Sequence, residues 1–92
     1  MHLISHRLHV EENGKPVGAF VFLLESIARE RLDHYVKQYQ AMDWEVNPNS
    51  SPNTVKLVKL ESAETACIHL HSTPFDDNKR FYAPGLTIYD NT

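Results

Sequence analysis

Residues 17–24 (V-G-A-F-V-F-L-L) carry neither a charge nor a hydrogen-bonding side chain, and this run restricts the fold more than any other stretch. Its length suits either a buried helical turn or a strand, but its Val and Phe content favours the strand. Alternation sends Val17, Ala19, Val21 and Leu23 to one face and Phe20, Phe22 and Leu24 to the other. Both faces are apolar, which predicts a central strand covered on both sides.

Asn13-Gly14 just upstream is a two-residue hairpin signal, because both residues tolerate the positive φ that a tight turn demands. Residues 2–11 alternate and form the partner strand. With Glu12 opposite Lys15, Val10 faces Val17, Leu8 faces Ala19, His6 faces Val21 and Ile4 faces Leu23. This register gathers Ile4, Leu8 and Val10 with Val17, Ala19, Val21 and Leu23 on one side, with His6 as the polar intruder.

A helix is expected over 27–42, with Ser26 as its N-cap. Ala28, Leu32, Tyr35, Tyr39 and Met42 recur at spacings of four and three and define its apolar stripe, widened by Ile27 and Val36. Asp33 and Lys37 sit one turn apart on the wet side. Trp44-Glu45-Val46 reads as a short strand, and 47–54 (N-P-N-S-S-P-N-T) as an exposed, mobile loop. Strands are expected at 55–60 and 65–72, then a polar loop. Two short extended pieces should follow, around a Pro84-Gly85 turn. The order is β-β-α-β-β-β. It describes one α+β domain: an antiparallel sheet of four to five strands with one amphipathic helix across one face.

Ninety-two residues fill one domain. The single cysteine, Cys67, excludes an intrachain disulfide framework and suits a reducing, cytoplasmic setting. No apolar run approaches the roughly 20 residues needed to span a bilayer, so no membrane partner is expected. Nine basic residues are scattered among twelve acidic ones, for a net charge of −3. The clustered positive stripe of a nucleic-acid-binding surface is missing from that distribution. Six histidines would carry the net charge from −3 through zero on acidification, which predicts a solubility minimum near pH 6.

The best chemical constellation is Cys67-Ile68-His69-Leu70-His71. On a strand, Cys67, His69 and His71 share a face, with about 6.5–7 Å between successive bases. Two imidazoles leaning together can hold a transition-metal ion, with a third ligand from His6, His9, Asp76 or Asp77. The competing reading, two ordinary polar histidines on a solvent-facing strand, carries more weight because a second ligand pair at defined spacing is missing. Cys67 as a nucleophile is weaker, since parallel side chains on one strand hold sulfur and imidazole apart. Asp76-Asp77-Asn78 suits a turn better than a hard-cation site. The isolated glycines make no phosphate-binding loop.

One helix cannot shelter both sides of an apolar sheet. Phe20, Phe22, Tyr82 and Tyr89 are therefore expected to form a second, partner-binding surface. The resulting expectation is a small, non-enzymatic interaction module of accessory or inhibitor type. It would dock through a sheet face or edge on another protein or on itself as a homodimer, without a cofactor. The alternative is a transition-metal-binding protein, or a small metal-dependent enzyme, built on His69 and His71.

Overall fold

The structure, a computed structural model, describes residues 4–74 and 86–88. Its elements follow in the order β1 (Ile4–Glu12), β2 (Lys15–Phe22), α1 (Glu25–Ala41), β3 (Trp44–Val46), β4 (Thr54–Lys59), β5 (Thr65–Pro74) and β6 (Leu86–Ile88). The strands form one sheet in the order β3-β4-β5-β1-β2-β6. All pairings are antiparallel except the short β2–β6 contact at the edge. The α+β class and the β-β-α-β-β-β order are as the sequence predicts, with the short β3 as a further strand; the described sheet has six strands against the four to five expected.

The hairpin turn forms where expected. Asn13 and Gly14 take φ values of 53° and 79°, the left-handed pair that a tight hairpin needs. Asn13 also pins the turn to β5: its N–H donates to the Thr65 carbonyl at 2.8 Å, and its Oδ1 accepts from the Thr65 N–H at 3.0 Å.

The register beyond the turn differs from the expectation by one residue. Glu12 pairs with Lys15 and Glu11 with Pro16, but Val10 pairs with Gly18, leaving Val17 as an extra residue. Pro16 has no N–H to give the ladder, so the irregularity falls where a regular bond would be lost anyway. A one-residue slip turns over every later side chain of the strand. Phe20 and Phe22 therefore join Leu8 and Val10 under the helix, while Ala19 and Val21 face the other way.

Phe22 is buried at 1% exposure within the core formed by Leu8, Val10, Ala28, Leu32, Tyr39, Trp44, Leu57, Ile68 and Leu70, among others. Phe20 packs against this cluster and stacks on Tyr35, with ring centroids 5.7 Å apart. The expectation that Phe20 and Phe22 form an outward partner surface is thus corrected, the bulge being its physical cause. Gly18 lets this happen: a Cβ built there would lie 3.0 Å from Phe20 Cε2.

Helix α1 uses the expected stripe through Ala28, Leu32, Tyr35 and Tyr39. It starts two residues early, at Glu25. Leu24 is its N-cap, without a side-chain cap, and Ser26 lies exposed in the first turn. The first turn is helped instead by Glu25, whose carboxylate suits the positive helix end and accepts from Arg29 Nε at 3.3 Å. Met42 is not a stripe residue. It is the C-cap and is 55% exposed, followed by Asp43 at φ 68°.

Segment 47–53 is exposed, as expected, but it is tied down. The Asn47 N–H donates to the Lys56 carbonyl at 2.7 Å, the Lys56 N–H donates to Ser50 Oγ at 2.9 Å, and Ser51 bridges to Thr54. Arg29 of the helix donates to Asn53 Oδ1 at 2.8 Å. These bonds cover the outer edge of β4 beyond the three-residue β3. The expected turn at Pro84-Gly85 lies outside the described residues.

Candidate functional site

Strand β5 alternates cleanly. Ala66, Ile68 and Leu70 are buried against the helix side, whereas Cys67, His69 and His71 point to the helix-free face. Pairing with β1 sets His9 opposite His69, Arg7 opposite His71 and Glu11 opposite Cys67. Pairing with β4 adds Thr54 opposite His69 and Lys56 opposite Cys67. Residues paired across a ladder share a face. The helix-free side of β4, β5 and β1 is therefore a polar strip built around three imidazoles.

His69 and His71 are exposed and their rings lie nearly parallel, 17° apart in plane with centroids 6.0 Å apart. His69 Nδ1 is hydrogen-bonded to Thr54 Oγ1 at 2.7 Å. His9 is half-buried. Burial holds its pKa below the ordinary histidine value, and the neighbouring charges of His69 and Arg7 push the same way, opposed by Glu11. Burial likewise pushes the Cys67 thiol up, with the Glu11 carboxylate adding to the effect and Lys56 opposing it. Cys67 is thus a protonated, unactivated thiol at neutral pH.

Of the residues singled out in the sequence, His69 and His71 come together as expected. Among the described residues, no three His, Cys, Asp or Glu side chains are grouped so as to hold an ion, and Cys67 does not complete such a set. His6 is withdrawn from the strip: it lies buried on the helix side with Nδ1 bonded to Ser72 Oγ at 2.7 Å. Tyr82, Tyr89, Asp76 and Asp77 lie outside the described residues. Thr54 and Lys56 are not marked by any local motif. The short turn between β4 and β5 is the signal that could have found them, because a hairpin there sets 54–58 against 65–69.

Beside the strip, Glu11, Asn47, Lys56, Thr65 and Cys67 border a shallow depression. Among the described residues, no helix is long and apolar enough to cross a membrane. Comparison with family models, curated proteins and solved structures found no match.

Proposed function

We propose that the protein is a non-catalytic interaction module whose working surface is the helix-free face of β4 and β5, and that it docks there on a second copy of itself. The observation that carries this reading is the exposure of the β4–β5 end of the helix-free face, whose β1–β2 end has Ser5 and Val21 buried. α1 covers one face of the sheet, while Lys56, His69 and His71 stand exposed on the other, held by ladders on both sides of β5. Docking by edge is disfavoured, because the sheet ends on three-residue strands and segment 47–53 occupies the outer side of β4.

The exposed charges of this face support a self-complementary contact. Lys56 stands among Glu11 and Glu45, so a two-fold axis can set the lysine of one copy against a carboxylate of the other. Val58, half-buried beside Glu45, supplies apolar area between them. The unactivated Cys67 and the parallel imidazoles give the strip the character of a contact surface.

Light scattering of the untagged protein over a wide concentration range tests the reading. Self-association is expected, abolished by Val58→Asp and unaffected by His34→Glu on the exposed side of the helix. A mass that stays monomeric at every concentration, or association that survives Val58→Asp, overturns it.

A further inference from the structure

The His69–His71 pair has chemistry that a docking surface does not require. We infer that these two side chains form a bidentate site for a late first-row divalent ion such as Zn2+, with Thr54 as a supporting partner of His69.

Distance is the first ground. Two imidazoles bound to one tetrahedral ion at about 2.0–2.1 Å place their ring centres roughly 5 Å apart. The observed 6.0 Å is within about 1 Å of that separation. Because the rings are now parallel, the His71 ring must turn about its side-chain bonds toward His69, which Thr54 holds, and His71 is exposed enough to do so without moving the strand.

The Thr54 contact is the second, independent ground. Histidines that bind metals almost always donate their other ring N–H to a neighbouring acceptor, which fixes the tautomer and the ring plane. In the tautomer where Nδ1–H donates to Thr54 Oγ1 at 2.7 Å, Nε2 of His69 carries the lone pair and is free to ligate. Imidazole nitrogen suits zinc, copper and nickel, and two protein ligands leave the remaining positions to water or to a second molecule.

The surroundings set the strength. Arg7 opposite His71 and Lys56 on β4 repel a cation, while Glu11 attracts it. His9 faces His69 across the ladder but does not converge with the pair on one point. The site is therefore a two-histidine site of modest affinity, and His9 is not a ligand.

Calorimetric titration of the untagged protein with Zn2+ at about pH 7.5, alongside histidine ring signals in NMR spectra, provides the test. One saturable site is expected. His69→Ala and His71→Ala, both at exposed positions and checked for fold by circular dichroism, should each weaken it by more than the roughly tenfold loss expected for Thr54→Val. His9→Gln should leave it within about twofold. No saturable Zn2+ binding, or binding that is unchanged in His71→Ala, or binding lost in His9→Gln, overturns the inference.

Discussion

Tyr39 of the helix donates a 2.6 Å hydrogen bond to Glu12 Oε1 at the end of the first strand, fastening the helix to the sheet beside the hairpin turn. Burial, followed by the Glu12 bond and its charge, pushes the Tyr39 phenol well above the ordinary tyrosine range. Tyr39→Phe should cost about 1–2 kcal/mol in urea denaturation, because it removes a charge-assisted bond and leaves the carboxylate to find water. The pH dependence follows from the raised pKa. Between about pH 10 and the higher folded value the unfolded chain loses the proton and the native chain keeps it. The stability this phenol contributes is thus present below about pH 10 and declines above it. Comparing alkaline unfolding of the wild type and Tyr39→Phe checks the sign: the variant should show the shallower decline.

Gly18 and Phe20 are the second coupled pair. Gly18→Ala drives a methyl group to 3.0 Å from a ring that is already stacked on Tyr35. Overpacking of this kind costs about 1–3 kcal/mol, partly offset by the reduced freedom of the unfolded chain. A net loss of about 1 kcal/mol is expected in chemical denaturation, and Gly18→Ala combined with Phe20→Leu should cost less than the two single changes added together. Strict additivity would place the tight contact elsewhere.

His9 should make the fold acid-sensitive. Its pKa is lowered on folding, by burial first and then by His69 and Arg7. The unfolded chain therefore takes up a proton at this position before the native one does, and stability falls as pH drops below about 6.5. His9→Gln should flatten the difference in urea midpoint between about pH 7.5 and pH 5. An unchanged slope would assign the acid sensitivity to other groups.

Cys67 should react slowly. With its thiol pushed up by burial and by Glu11, the thiolate fraction at neutral pH is smaller than in an unstructured peptide. Native protein is expected to label with iodoacetamide more slowly than urea-unfolded protein, and Glu11→Gln should speed the reaction. Labelling faster than in the unfolded chain would mean an activated cysteine.

Much of the fold is legible in the residues themselves. The alternation of 65–72 gives the buried and exposed sides of the fifth strand, and the spacing of Ala28, Leu32, Tyr35 and Tyr39 gives the helical face. Register is not legible in the same way. Alternation is equally satisfied before and after a one-residue slip in an all-apolar run, and only the bulge at Val17 decides that Phe20 and Phe22 go inward. The helix start is not legible from residue type, because Ser26 is a good cap by type, whereas the helix begins at Glu25 without a side-chain cap. At the site, His69 and His71 are neighbours by local spacing. The pairing that sets His9 against His69 joins residues distant in the chain, which no short-range pattern encodes.

The proposed docking uses the helix-free face and neither the helix nor a sheet edge. Amide NMR spectra recorded on serial dilution discriminate these surfaces. Concentration-dependent shifts should cluster on Lys56, Val58, Cys67, His69 and His71, with Arg31, His34 and Gln38 of the helix unmoved. Shifts confined to the helix, or spectra that do not change with concentration, contradict this docking.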